Sequence, residues 1–126
     1  MRAIVCGGRD YTDCERFVSA MHRVDAERGP LTVVIHGGAR GADWLAHLWA
    51  SSSGVARKEI VFKADWKTYG RSAGPIRNQR MIDEGQPDFV IAFPGGKGTE
   101  DMVRRAKRAG LEVVRPTSMP GLSKAP

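Results

Sequence analysis

The chain has 126 residues, 41% apolar and 27% charged, with 20 Lys and Arg against 14 Asp and Glu and a formal charge of +6 at pH 7. This length suits one domain with its own core, and no apolar run approaches the roughly 20 residues that a membrane-spanning helix needs. The positive balance favours acidic partners such as nucleotides, nucleic acid or anionic surfaces and does not choose among them.

Arg2 to Cys6 reads as a first strand. It is too short for a signal-peptide core and is broken at once by Gly7-Gly8-Arg9, so the expected location is the cytoplasm. A helix follows from Thr12 to about Glu27 with Phe17, Val18, Met21 and Val24 as its apolar stripe, and Gly29-Pro30 ends it. Leu31 to Ile35 is the second strand, ending at His36. The next helix, from about Ala42 to Ser52, carries Trp44, Leu45, Leu48 and Trp49 and closes at Gly54. Glu59 to Phe62 is the third strand. Lys63 to Pro75 reads as a long irregular loop, a length that in compact domains is usually functional or mobile.

A helix is predicted to start at Pro75 and run through Met81 and Ile82 to Gly85, because proline in a first turn lacks only an N–H that has no partner there. Asp88 to Phe93 is the fourth strand, Thr99 to about Ala109 the last helix, closed by Gly110, and Glu112 to Arg115 the last strand. The basic run Arg104-Arg105-Ala106-Lys107-Arg108 reads as a solvated helix face, with Arg104 and Arg108 together and Val103, Ala106 and Gly110 on another face. Residues 1–115 thus form one domain, and the tail from Pro116 is expected to fray. Strand and helix alternate about five times. The fold class is therefore α/β and Rossmann-like, a mostly parallel sheet of about five strands with helices on both faces.

Three glycine-rich clusters each follow a strand: Gly7-Gly8-Arg9-Asp10, His36-Gly37-Gly38-Ala39-Arg40-Gly41-Ala42-Asp43 and Pro94-Gly95-Gly96-Lys97-Gly98-Thr99. In an open α/β sheet such turns share the carboxyl edge, where backbone N–H groups and helix N-termini attract anions. Neither a Walker A loop nor G-x-G-x-x-G is present, since Lys97 precedes Gly98, so an ATPase and an ordinary NAD site are not indicated. The expected occupant is a phosphorylated small molecule. Gly95, Gly96, Gly98 and Thr99 would cradle its phosphate, with Thr99 capping the helix, and Arg77 would neutralise it. Asp43, Gly37 and Gly38 would face a sugar. Glu100 and Asp101 suit either the helix dipole or catalysis, and Trp66 or Tyr69 could stack on a base. His36 at a strand end reads more readily as a packed residue than as a base. Cys6 and Cys14 lack C-x-x-C spacing and read as free thiols. His22, His36 and His47 show no metal-ligand spacing, so no metal or other cofactor is expected.

Together, G-G-R-D, H-G-G-A-R-G-A-D, A-D-W-x-x-Y-G, A-G-P-I-R-N-Q-R-M and F-P-G-G-K-G-T resemble the YspA-like branch of the SLOG superfamily over almost the whole chain. That superfamily includes LOG phosphoribohydrolases, the DNA-processing protein that acts on single strands, and sensors of nucleotide-derived signals. The resemblance implies a nucleotide-derived ligand touching Gly7, Gly8, Arg9, Asp10, His36, Gly37, Gly38, Ala39, Gly41, Asp43, Arg77, Asn78, Pro94 to Thr99 and Glu100, and a homodimer or higher homo-oligomer. The LOG segments map onto Arg77-Asn78-Gln79-Arg80-Met81, with Asn78 where LOG has lysine, and onto Pro94 to Met102, with Met102 where LOG has its catalytic glutamate. A methionine cannot stabilise a ribosyl cation. N-glycosidase chemistry would then fall to Arg77 with Glu100 or Asp101. Single-stranded nucleic acid is the alternative partner, suggested by the charge and the Trp66, Tyr69 and Arg71 segment.

Overall fold

A computed structural model of the chain describes residues 1–52 and 57–118, so Gly54 and the tail from residue 119 lie outside the described residues. Five strands, β1 (Arg2–Cys6), β2 (Val33–His36), β3 (Lys58–Val61), β4 (Phe89–Ala92) and β5 (Glu112–Val114), form one sheet in the order β3-β2-β1-β4-β5. Every pairing is parallel, with Ile4 opposite both Ile35 and Val90. The fold is the α/β Rossmann-like sheet that the alternation of elements predicts.

Parallel strands buried on both faces read as apolar runs, and Ala3–Cys6 of β1, Val33–Ile35 of β2 and all of β4 are such runs, with Arg2 and His36 at strand ends. Ala3, Val5, Phe89 and Ile91 point to one side, where Phe17, Met21 and Val24 of α1 (Cys14–Arg28) and Ala42, Ala46 and Trp49 of α2 (Ala42–Ser52) cover them. Ile4, Cys6, Val90 and Ala92 point to the other, beneath Met81 and Ile82 of α4 (Ala73–Asp83) and Met102, Val103 and Ala106 of α5 (Lys97–Arg108). No helix among the described residues is long and apolar enough to cross a membrane.

Helix phase departs from expectation in two places. In α1, Val18 is exposed and Ala20 takes its place in the buried stripe. In α2, Trp44 and Leu48 are exposed while Ala42, Ala46, Trp49 and Ala50 face the sheet. Close approach decides this: a Cβ at Gly7 would lie 2.6 Å from the Ala42 Cβ, so only small residues fit where α2 meets the sheet edge. Residues 63–75 are also not an irregular loop. Asp65 accepts the Thr68 N–H at 3.1 Å and starts a short helix α3 (Trp66–Tyr69), then a 3-10 turn (Gly70–Ser72) leads into α4 at Ala73, two residues before Pro75. Four residues with none buried leave no periodic signal to read. Pro116–Ser118, assigned above to a frayed tail, instead form a 3-10 turn against α1, with Arg16 donating to the Thr117 carbonyl at 2.8 Å.

The order β3-β2-β1-β4-β5 reverses direction between β1 and β4, the switch point where open α/β sheets leave a crevice at their carboxyl ends. The first and third glycine turns flank it. Gly8 donates to the Pro94 carbonyl at 2.8 Å, and its own carbonyl accepts from Ala42 at 3.1 Å, so all three turns are joined. Gly41, at φ 76°, sits where a Cβ would strike the Gly8 carbonyl, whereas a Cβ at Gly98 would meet open space. Gly41→Ala is therefore expected to cost at least about 1–3 kcal/mol in urea denaturation, while Gly98→Ala, inside α5, leaves stability equal or higher.

Candidate functional site

The crevice is a cavity of about 530 Å³. Its walls come from four places: Gly7, Gly8 and Arg9 after β1; Ala39 and Asp43 at the start of α2; Trp66, Arg71, Arg77 and Asn78 along α3 and α4; and Gly96 to Thr99, Asp101 and Arg104 at the start of α5. Cys6, Gly74, Pro75 and Met81 complete it.

The phosphate side is built on the first turn of α5. The helix starts at Lys97, two residues earlier than the sequence places it, with Gly96 as N-cap and no side-chain cap; Thr99 is buried and does not cap it. Glu100 N–H makes the first bond of the helix, to Gly96 at 3.1 Å, which leaves the Lys97, Gly98 and Thr99 amides without a partner among the described residues. Such amides carry the positive end of the helix dipole. Gly95 lies beneath them because its Cβ would strike the Thr99 hydroxyl and come within 2.6 Å of Gly8 N.

Arg77 is the half-buried cation of this site. Its Nη1 donates to the Gly37 carbonyl at 2.7 Å, and its Nε donates to Asn78 Oδ1 at 3.1 Å. Burial lowers its pKa, Asp43 opposes that change and Arg9 adds to it. A Cβ at Gly37 would lie 2.7 Å from the guanidinium carbon, so a side chain there would push Arg77 out of this position. Asn78, buried, uses its amide to donate to the Gly98 carbonyl at 3.2 Å and to Asp101 at 3.0 Å, which ties α4 to the first turn of α5.

Two carboxylates face this cavity, and their electrostatics differ. Burial raises the pKa of Asp43, against the lowering effect of the Ala39 N–H, which it accepts at 3.2 Å, and of His36 and Arg77. Burial acts in the same direction on Asp101, but hydrogen bonds from Arg105 at 2.8 Å and from Asn78 outweigh it and hold the carboxyl below its ordinary value. Arg9, Arg71, Arg77, Lys97 and Arg104 supply five positive charges against these two negative ones. Above the cavity the Arg9 guanidinium lies 5.3 Å from the ring centre of Trp66, whose indole is 48% exposed. At its floor, the buried Cys6 thiol is pushed up to about 12 by desolvation and by Asp43.

Residues 1–69, which hold the first two glycine turns and Trp66, match the sequence profile of the YspA, cpYpsA-related SLOG family. The chain belongs to that family. This SLOG domain is also 36% identical over 119 residues to the Gene 61 protein of Mycobacterium phage D29, an alignment covering 90% of this chain and 94% of the phage protein. No solved structure matches the chain.

The SLOG cavity brings together Gly7, Gly8, Arg9, Ala39, Asp43, Arg77, Asn78, Gly96, Lys97, Gly98 and Thr99 of the residues singled out from sequence. Gly37, Gly38, Gly41, Pro94 and Gly95 form the turns behind its lining. Asp10 is exposed beside Arg40, and Glu100 turns away to Arg115 at 3.2 Å, so the α5 carboxylate that reaches the cavity is Asp101. Met102, at the position of the LOG glutamate, is fully buried in the core under α5.

His36 is not in the lining. It is buried, and its Nε2 lies 2.5 Å from Glu59 of β3, while His47 Nδ1 lies 2.8 Å from the same Glu59 oxygen. Gly38 N–H donates to His36 Nδ1 at 3.0 Å, so the ring proton sits on Nε2 and points at Glu59. Burial raises the Glu59 carboxyl, but its bonds from the two histidines prevail and leave it lowered. These residues lie 11 and 12 positions apart along the chain, a separation with no recognised motif, which is why the sequence shows no metal-ligand set.

A carboxyl with a lowered folded pKa stabilises the fold above its unfolded value, near 4, and that contribution fades as pH falls through the folded value. For Asp101→Asn this predicts a loss of about 1–2 kcal/mol at pH 7 in urea denaturation, shrinking as pH falls through the lowered folded value and the wild type loses the same bonds.

Proposed function

We propose that this domain binds a nucleotide or nucleotide-derived phosphorylated ligand in the switch-point cavity and holds it without cleaving it. The observation that carries this reading is the uncapped start of α5 sharing one cavity with the half-buried Arg77. Free amides at a helix terminus and a fixed guanidinium are complementary to phosphate oxygens. Trp66 offers an exposed aromatic face for a base, and the buried Asp43 an acceptor for sugar hydroxyls. SLOG domains generally bind nucleotide-derived ligands, and the cavity volume suits a mononucleotide or a somewhat larger ligand.

Binding without hydrolysis is supported by the residues of α5 at and around the LOG glutamate position. Glu100 is paired with Arg115, Met102 is core, and Asp101 is neutralised by Arg105 and Arg104. A carboxylate already satisfied by two guanidiniums does little for a cation developing on ribose.

A second reading has its own observation. An open groove lined by Arg71, Pro75, Ile76, Arg80 and Arg105 adjoins the cavity through Arg71 and Pro75, giving a longer phosphate chain a path with the Arg71 cation at its mouth, while Arg80 and Arg105 are paired with Glu84 and Asp101. Oligonucleotide binding along it would weaken steeply with salt, because phosphate contacts release counterions.

Thermal-shift and calorimetric titrations separate the readings. Adenine or guanine mononucleotides or ADP-ribose are expected to raise the unfolding midpoint, the corresponding nucleosides much less, and Arg77→Gln should weaken binding at least tenfold. Chromatography of the incubated mixture should detect no released base. Equal affinity for nucleoside and nucleotide would sink the phosphate assignment, and base release would sink the claim of binding alone.

A further inference from the structure

We propose that His36, His47 and Glu59 form a site for a divalent transition metal of the zinc type, behind the second glycine turn and outside the ligand cavity. The three residues come from three elements. His36 ends β2, Glu59 lies in the neighbouring edge strand β3, and His47 projects from α2, one helical turn beyond Asp43. The strand register pairs Val34 with Glu59 and His36 with Val61, so His36 and Glu59 emerge on the same face of the sheet, the one that α2 covers. Fold topology rather than chain proximity therefore assembles the set.

The ligand atoms lie within 4.8 Å of one another. Two imidazole nitrogens and one carboxylate oxygen form the donor set that zinc accepts in three-ligand sites, while magnesium and calcium prefer oxygen alone. In a tetrahedral site with bonds of about 2.0–2.1 Å, ligand atoms are about 3.4 Å apart. To reach that spacing Glu59, now 2.5 Å from His36 and 2.8 Å from His47, withdraws by less than about 1 Å, and the two imidazole nitrogens, within 4.8 Å of each other, close toward it by side-chain rotation, chiefly of the partly exposed His47. His36 is 3% exposed, but Glu59 at 24% and His47 at 41% leave an entry from solvent and room for a water in the fourth position. Glu59 also supplies the negative charge that a dication requires, and none of the three residues lines the cavity proposed for the nucleotide.

One feature of the cluster opposes the metal. The Gly38 N–H bond to His36 Nδ1 places the ring proton on Nε2, so coordination through Nε2 must move that proton to Nδ1 and open the Gly38 bond. Losing one such bond weakens binding by roughly tenfold, a small factor against the affinities that zinc reaches with three protein ligands. Gly38, at φ 69°, has the backbone freedom to turn its N–H away. For His47 the equivalent proton shift goes to Nε2 on a partly exposed ring.

The test is a calorimetric titration of the untagged, chelator-treated full chain with Zn²⁺, and with Mg²⁺ for comparison. Micromolar or tighter binding of one Zn²⁺ per chain is expected, with no Mg²⁺ binding in that range. His47→Ala and Glu59→Gln should each weaken Zn²⁺ binding at least tenfold, and His22→Ala should leave it unchanged. Unfolding midpoints in chelator establish that each variant is folded. As a second readout, Zn²⁺ should raise the midpoint of the wild type and not that of His47→Ala. Wild-type affinity weaker than about 1 mM, or His47→Ala and Glu59→Gln binding Zn²⁺ as the wild type does, would overturn the site and leave the triad as a hydrogen-bonded support for the turn.

Discussion

The peptide group of Gly8 is the point on which this structure hangs. Its N–H is committed to Pro94, its carbonyl to Ala42 and Tyr11, and its α-carbon faces Gly95 so closely that a Cβ would sit 3.1 Å from the neighbouring Cα. Three turns from different parts of the chain can meet there only because side chains are missing from all of them. Two consequences follow. The strands β1 and β4, which emit the first and third turns, must be neighbours in the sheet, and α2 must begin hard against the first turn. The switch-point crevice is what remains open when that contact is made.

The lining of the crevice then shows a division of labour between backbone and side chain. Backbone supplies the amides of Lys97, Gly98 and Thr99, which carry no side-chain entropy and cannot be titrated. Side chains supply the positive field, and the half-buried cation among them, Arg77, is aimed by bonds to Gly37 and Asn78 rather than by an ion pair. An arginine held by carbonyls keeps its full charge for an incoming anion, whereas one held by a carboxylate has spent it. Asp101 is the opposite case. It is surrounded by donors, its charge is consumed locally, and what it gives in return is a fixed spacing between α4 and α5.

How much of this was readable in the chain depends on the range of the interaction concerned. Strands β1 and β4 announce themselves through unbroken apolar runs, and the glycine clusters mark the carboxyl edge, so the sheet and the ligand edge were legible. The phase of α2 was not, because hydrophobicity says that Trp44 and Leu48 should be inside while packing against Gly7 admits only alanine-sized neighbours. The choice between Glu100 and Asp101 turned on helix phase: with Met102, Val103 and Ala106 against the sheet, Asp101 meets Asn78 of α4 and Glu100 meets Arg115. Glu59 carried no local signal at all. Its meeting with His36 and His47 is a product of strand register and helix placement, which a one-dimensional reading does not contain.

The buried thiol at the cavity floor, compared with the exposed Cys14, gives the molecule an internal clock. Cys14 stands in solvent, whereas Cys6 is enclosed at the floor of the crevice with its proton held to about pH 12. A thiol reagent attacks the thiolate, so Cys14 is modified at the reagent's own pace, and Cys6 slowly, through the cavity whose floor it forms. The ratio of the two rates reports how far Cys6 is shielded from solvent and kept protonated, and a ligand seated above it would slow one hand of that clock without touching the other.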